Sequence, residues 1–154
     1  MSQVGGPVAI DDCGLATKEK GGRMTPEQFK VRTKHSALEV IALVGTLPRT
    51  LVAEIVAGQI VRSATSTGAN YRAACRARSR AEFVAKIGVA EEEADETQYW
   101  LELLLETKRK KSEAVQRLIA EAAELVAILS AGRKTARDAE KERRVRVDRR
   151  KVGD

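Results

Sequence analysis

The chain has 154 residues, of which 43% are hydrophobic but only 3% aromatic, so its core must consist mainly of aliphatic side chains. A chain of this length forms one domain that buries roughly 68–70% of its unfolded surface. Its two cysteines form no CxxC motif and no disulfide framework, which favours a reducing, cytoplasmic setting. No stretch approaches the ~20 apolar residues of a membrane span, and we expect neither a signal peptide nor a membrane partner.

The net charge of +6 is concentrated at the C-terminus. Of the 28 Lys/Arg and 22 Asp/Glu residues, residues 133–154 hold ten and five, which leaves 18 and 17 in the rest of the chain. The high pI therefore exaggerates the case for a nucleic-acid-binding fold, because the body of the protein is nearly neutral.

The first predicted elements are an arm and a helix. Residues 1–23 contain five glycines and a proline without helical periodicity, and we expect them to form a flexible N-terminal arm. Thr25, Pro26 and Gln28 then predict a helix start, with threonine as N-cap, proline at the first helical position and glutamine at the third. The first helix is predicted at 26–45.

The second helix is predicted at 48–75, and it changes character along its length. It begins apolar and then becomes small and polar, which lowers its intrinsic helix propensity. Polar residues at spacings of four, three and four form one stripe: Gln59, Ser63, Ser66 and Asn70. If the stripe is buried, each side chain needs a partner. We expect a hydrogen-bonded layer between helices, with a ligand-facing stripe as the alternative.

The third helix is predicted at 79–107. Ser79 and Glu82 have the capping-box spacing, in which the serine oxygen accepts from the Glu82 N–H and the carboxylate returns to the Ser79 N–H. Its apolar stripe is accompanied by apolar residues on other faces: Tyr99, Trp100 and Leu103. These residues indicate either a wide buried face within one bundle or a contact with another subunit.

A heptad-like apolar face predicts the fourth helix at 110–131, and Gly132 lies where a C′ glycine ends a helix. Residues 133–154 form a basic C-terminal tail, expected as a frayed helical extension or a disordered segment. Four amphipathic helices with short turns predict an all-α, antiparallel up-down-up-down four-helix bundle over residues 24–132.

The sequence offers little for catalysis. The only histidine, His35, has Arg32 three positions before it, where a di-metal bundle would need glutamate. Nucleotide-binding glycine loops and the GxSxG motif are absent, and the acidic run at 91–96 is typical of a solvated or ion-paired face. We therefore expect no enzyme, no cofactor and no metal site.

The informative feature is a cluster of basic residues. Residues 62–86 contain six basic residues and one acidic residue, whereas residues 91–106 contain seven acidic residues and no basic one. The candidate nucleic-acid-binding residues are Arg62, Arg72, Arg76, Arg78, Arg80 and Lys86. Either they pair with acidic groups on a neighbouring helix or subunit, or they face outward and bind phosphates. Tyr71 offers a possible stacking surface beside them.

Five sequence blocks resemble a bacterial four-helix-bundle family related to proteins encoded in intervening sequences of 23S ribosomal RNA genes. The blocks are GQIVRS (58–63), GANYRA (68–73), RSRAEF (78–83), EEADET (92–97) and YWLEL (99–103). The resemblance spans Phe29 to Leu129. The chain departs from the commoner family pattern after Asn70, where many members have an apolar residue, alanine, glutamate and glycine, and where this chain has YRAA.

The resemblance implies a bundle assembled as a ring, as a homopentamer. It also implies similarity to the accessory protein of diversity-generating retroelements, which binds nucleic acid and a reverse transcriptase. The expected function is a non-enzymatic oligomer that contacts RNA or single-stranded DNA through the arginines. The alternative is a scaffold oligomer whose arginines form ion pairs between helices or subunits, and which recruits a protein partner.

Overall fold

The computed structural model describes residues 24–107 and 112–152, so the predicted N-terminal arm lies outside the described residues. Four α-helices form most of these two ranges, in which no strand occurs. They are α1 (Pro26–Val44), α2 (Leu51–Ala74), α3 (Arg80–Thr107) and α4 (Glu113–Val152). The prediction of an all-α four-helix bundle is confirmed.

Threonine caps begin the first two helices. The Gln28 N–H donates to Thr25 Oγ1 at 3.2 Å, and the Thr25 N–H donates to Gln28 Oε1 at 2.8 Å, which confirms the predicted start of α1. The second helix begins later than the predicted Pro48, because Thr50 is its N-cap and accepts from the Ala53 N–H at 3.3 Å. Each cap satisfies a backbone donor that has no partner within the helix and contributes about 1 kcal/mol.

The start of α3 is capped differently from the prediction. The Glu82 N–H donates to Ser79 Oγ at 3.1 Å, as expected. The Glu82 carboxylate, however, accepts from the N–H of Arg78 at 2.8 Å rather than from that of Ser79. The carboxylate therefore holds the turn between α2 and α3 one residue further upstream than a capping box does.

The helices pack in cyclic order, so that each contacts its two neighbours. Cross-helix pairs show the antiparallel arrangement: Arg32 and Glu39 on α1 meet Glu121 and Arg117 on α4, in reversed order. Within the described ranges α1 and α3 make no contact, because they occupy opposite corners of the bundle.

The core consists of two apolar clusters. The cluster near the α2–α3 turn contains a fully buried aromatic pair, Phe29 and Tyr71, whose ring centroids lie 4.6 Å apart in an edge-to-face arrangement. The cluster at the other end is aliphatic and is built around Val40, Ile60 and Leu101. Fully burying one such side chain stabilises the fold by roughly 1.5–3 kcal/mol. The predicted, mainly aliphatic core is therefore correct, with three aromatic side chains at one end: Phe29, Tyr71 and Phe83.

A buried polar contact lies between α2 and α3. The Thr97 hydroxyl donates to Ser63 Oγ at 2.9 Å, and both side chains are almost fully buried. Elsewhere on the predicted polar stripe the bonds are local to α2, as where Asn70 Nδ2 donates to the Ser66 carbonyl at 2.9 Å. The predicted interhelical layer is thus confirmed at Ser63 alone, whereas the side chains of Gln59 and Asn70 bond within their own helix.

The fourth helix does not end at Gly132. It runs for 40 residues to Val152, a length of about 60 Å. Two contacts explain the continuation: Ala136 packs against the core, and Arg133 reaches Glu91 of α3. The following residues are mostly Ala, Arg, Lys and Glu, which are good helix formers. We call residues 133–152 the α4 extension; of the two predicted states for this tail, the structure describes a helical extension.

Candidate nucleic-acid interface

The structure separates the six predicted basic residues into two groups. Arg62 lies in the middle of α2 and faces α3. The other five lie at one end of the bundle, in the last turn of α2, in the turn that follows, and in the first two turns of α3: Arg72, Arg76, Arg78, Arg80 and Lys86.

Arg62 is engaged by the acidic run of α3. Its guanidinium lies 3.0 Å from Glu93 Oε2 and also pairs with Glu96. The Arg62 hydrogen bond, followed by one from the indole N–H of Trp100 at 2.9 Å, lowers the pKa of Glu96 below its ordinary value. The carboxylates in turn raise the pKa of Arg62. The ion-pair interpretation is therefore correct for Arg62, which joins α2 to α3 within one chain.

Three of the remaining arginines point into solvent. The side chains of Arg72, Arg76 and Arg78 are exposed and form no ion pair or hydrogen bond with residues 24–107 or 112–152. Arg80 is half-buried as the first residue of α3, and Lys86 lies 3.9 Å from Glu82 on the same helix. The end of the bundle thus presents three guanidiniums whose planar donors are suited to phosphate oxygens.

The α4 extension adds further positive charge at this end. A shallow groove separates it from the start of α3, and its walls are Ala81, Val84, Arg137, Glu140, Lys141 and Arg144. Glu140 and Arg144 form an exposed i,i+4 pair at 3.3 Å, a contact worth little because water screens it. We define the basic end as Arg76, Arg78, Arg137, Lys141 and Arg144.

The sequence pattern did not predict this juxtaposition. The basic tail and the arginine cluster are about 60 residues apart in the chain, and only the continuation of α4 brings them to the same end. The sequence feature that indicated it was composition, because residues 133–152 consist mostly of amino acids with high helix propensity. The stacking role suggested for Tyr71 is wrong, because its side chain is fully buried against Phe29.

The sequence pattern did not indicate a role for Arg32, whose side chain joins α1 to α4. Its Nε and Nη2 donate to the two carboxylate oxygens of Glu121 at 2.7 and 2.8 Å, and it also bonds to Glu124. The Glu121 hydrogen bond raises the pKa of Arg32, and partial burial opposes that shift. The bidentate geometry and half-buried position are those of a structural pair.

In the part of the chain that the structure describes, no other group of metal-ligating or catalytic side chains comes together. His35 is exposed and lies 3.5 Å from Glu39, which accepts from Arg117 at 2.9 Å. Residues 24–107 and 112–152 contain no group of three metal-ligating side chains, and none of their helices is long and apolar enough to cross a membrane.

Comparison with known proteins agrees with the fold. A family model described as 23S rRNA-intervening sequence protein matches residues 28–131. A crystal structure of a protein of unknown function from the S23 ribosomal protein family of Bacteroides thetaiotaomicron is 34% identical, with a TM-score of 0.66. The match covers 72% of this chain and 99% of that chain. No curated protein matches this chain. The chain therefore belongs to the 23S rRNA-intervening sequence protein family.

Proposed function

We propose that this protein is a non-enzymatic, self-associating protein that binds RNA or single-stranded DNA through the basic end. The observation that supports this most directly is the position of the α4 extension. Its basic side chains lie beside the start of α3, and the turn that precedes α3 carries two exposed arginines without ion-pair partners in the described ranges. Charges from two separate chain segments therefore act on one ligand.

The composition of the basic end favours recognition of the phosphate backbone. Arginine binds phosphate through paired N–H donors, and each neutralised phosphate releases counterions. Base stacking needs exposed aromatic rings, but Tyr71 is buried and the exposed Tyr99 lies on α3 in the acidic region. Binding should therefore depend on charge and shape and depend little on base sequence. In an oligomer, several basic ends would act together, so that weak contacts gain avidity.

Retention of a mixed RNA pool on a filter tests this function. Arg76→Ala/Arg78→Ala should weaken retention about tenfold or more, because charge-assisted hydrogen bonds contribute roughly 1.5–3 kcal/mol each. Arg49→Ala/Arg117→Ala is the charge control, since it removes the same charge from the opposite end of the bundle, and its thermal midpoint is measured because Arg117 pairs with Glu39. Equal losses in both variants would mean that only net charge matters, and no retention of RNA by the unmodified protein at low salt would refute the proposal.

A scaffold is the second candidate function. It is favoured by the ion pairs of Arg62 with Glu93 and of Arg133 with Glu91, which use basic side chains inside the bundle. A scaffold would recruit a protein, and a reverse transcriptase is the partner that the family resemblance implies. This candidate predicts that a purified reverse transcriptase is retained by the protein in the absence of RNA and equally by Arg76→Ala/Arg78→Ala.

A further inference from the structure

A groove with an apolar floor and a basic rim runs between α1 and α2. Its lining includes Leu38 and Ile41, which are 54% and 47% exposed, and its rim carries Lys34 on α1 and Arg72 on α2. Neither rim side chain forms an ion pair within the described ranges. An exposed apolar strip with uncompensated positive charge on both walls fits a ligand that is both apolar and acidic.

The helices approach closely along the floor of this groove. A Cβ built at Gly68 would lie 3.2 Å from Thr33 Oγ1, so α1 and α2 leave no room between them for a further side chain. The Thr33 hydroxyl itself donates to the Lys30 carbonyl at 3.1 Å and is therefore already satisfied. The floor suits a short segment of chain that lies flat along it better than a bulky group inserted between the helices.

The groove begins at the end of the bundle where the chain enters α1. Its lining on α1 runs from Lys30 to Ile41, so it starts about one turn after the first helical residue, Pro26. On the opposite wall, Arg72 belongs to the last turn of α2. The residues that precede α1 are therefore attached close to the groove.

One part of the chain outside the described ranges has the composition that this groove requires. Residues 108–111 are all basic, and residues 153–154 are glycine and aspartate. Residues 8–15 (VAIDDCGL), by contrast, contain two adjacent aspartates, three large aliphatic residues and no basic residue. We call residues 8–15 the acidic segment. Its charge and its apolar content both complement the groove.

We propose that the acidic segment binds in the α1/α2 groove of its own chain. Its two aspartates pair with the rim cations Lys34 and Arg72, and its aliphatic side chains cover the apolar floor. Because successive side chains of an extended chain point in opposite directions, two adjacent aspartates serve the two walls of the groove.

The intervening chain is long enough for this contact. Thirteen residues separate Asp12 from Pro26, and when extended they span up to roughly 43 Å. Lys34 lies only about 12 Å from Pro26 along α1. Gly21 and Gly22 lie within this linker, and glycine tolerates the backbone conformations that a reversal of direction requires.

The bound segment also affects the basic end, a consequence that rests on the proposed function. Arg76 follows Arg72 by four residues, just past the end of α2. Two carboxylates beside Arg72 lower the positive potential that RNA meets there. Asp11→Asn/Asp12→Asn should therefore strengthen RNA retention about twofold to fivefold.

Cross-linking through Cys13 tests the binding in the absence of nucleic acid. Cys13 lies in the acidic segment, and Leu38→Cys places a second thiol in the groove. Cys75→Ala is included so that these two are the only thiols of the chain. Oxidised glutathione is the oxidant: one S–S bond forms between the two protein sulfurs, and the two protons and two electrons leave as two molecules of glutathione.

Val89→Cys, also combined with Cys75→Ala, is the matched control. Val89 is an exposed aliphatic residue like Leu38, but it lies on α3, which makes no contact with α1 within the described ranges. Leu38 and Val89 lie about 18 and about 14 Å from the same end of the bundle, so the linker reaches both. Binding in the groove should make the disulfide within one chain form at least about tenfold faster at position 38 than at position 89.

Charge exchange then identifies the groups that hold the segment. Asp11→Lys/Asp12→Lys and Lys34→Glu/Arg72→Glu should each slow the cross-link at position 38 to the rate of the Val89 control. The variant that combines all four changes should recover the fast rate. Lys134→Glu/Arg149→Glu makes the same charge change on exposed residues of the α4 extension and should leave the rate unchanged. Circular dichroism melting confirms that every variant is folded.

The results separate this inference from the proposed function. Equal rates at positions 38 and 89, or a fast rate in either pair variant, would overturn the binding. A cross-link that joins two chains, seen as a doubled mass on a non-reducing gel, would also overturn it, because the segment would then occupy another copy. A fast cross-link in a protein that retains no RNA would support the binding and refute the proposed function.

Discussion

Arg133 of α4 lies directly over Gly88 of α3. A Cβ built at Gly88 would stand 3.0 Å from Arg133 Nη1 and 3.5 Å from its Cδ. From this position the guanidinium reaches Glu91, one turn further along α3, at 3.3 Å. The glycine therefore provides the space through which the α4 extension is attached to the bundle.

Substitutions at two helical glycines should have opposite effects for this reason: one stabilises the fold, and the other loosens the α4 extension. Gly58→Ala should raise the free energy of unfolding by about 0.5–1 kcal/mol, because a Cβ there meets nothing within 4 Å. Gly88→Leu should displace Arg133, and amide hydrogen exchange in residues 133–152 should then accelerate. Urea unfolding at one protein concentration gives the first quantity. Unchanged exchange in Gly88→Leu would show that α4 is held without the ion pair.

The Arg133–Glu91 pair itself should contribute to stability. Glu91 Oε2 is buried and has no hydrogen bond in the described ranges, so Arg133 is its nearest compensating charge. Arg133→Met should destabilise the protein by roughly 1–3 kcal/mol, because a carboxylate oxygen is left buried without a cation. Adding Glu91→Gln should recover part of that loss. If the double variant is no more stable than Arg133→Met, the ion pair is not the cause.

The pair formed by Arg62 and Glu96 should make stability depend on pH. The folded state holds the pKa of Glu96 below its usual 4.5, so the folded state binds fewer protons than the unfolded state around that pH. The resulting stability is present above pH 4.5 and is lost as pH falls through the lower folded pKa. Glu96→Gln should therefore be less stable than the unmodified protein near neutral pH, and the gap should narrow on acidification. A constant gap in urea midpoint between about pH 6 and about pH 3 would contradict this.

Comparing Arg62 with Arg78 should distinguish an arginine that stabilises the fold from one that binds RNA. Arg62→Ala should lower the thermal midpoint, because it leaves Glu93 and Glu96 without their cation. It should not weaken RNA retention by the folded protein, whereas Arg78→Ala should do so with little loss of stability. Comparing the two variants at a temperature where both are folded gives the answer. If Arg62→Ala loses RNA retention and Arg78→Ala keeps it, the RNA site lies on the α2–α3 face.

The sequence predicted most of the fold because apolar stripes and capping residues are local signals. Thr25 and Gln28 form the predicted cap, and the apolar stripes of α2 and α3 bring Ile60 and Leu101 into the core. The sequence left the α4 extension open between a frayed helix and a disordered segment, because its bundle-facing row beyond Leu129 passes through small and charged residues: Gly132, Arg133, Ala136 and Glu140. Such a row has no apolar periodicity, and the contacts that hold it are with a distant part of the chain.

The candidate site was predicted less completely, for the same reason. A cluster of arginines does not indicate which of them meet a carboxylate, since that depends on the helix packed alongside. Glu93 and Glu96 face Arg62, whereas Glu92 and Asp95 on the same run face solvent. One step of 100° along α3 separates an ion-paired carboxylate from an exposed one.

The salt dependence of RNA binding should reveal how many charges the α4 extension contributes. For single strands the slope of log affinity against log salt is about −0.7 for each neutralised phosphate. If Arg137, Lys141 and Arg144 each contact a phosphate, replacing all three with alanine should make the slope shallower by about 2. Arg49→Ala/Arg117→Ala removes charge from the other end of the bundle and should leave the slope unchanged. An unchanged slope in the triple variant would mean that the extension adds only a diffuse field, and that Arg76 and Arg78 bind the RNA without it.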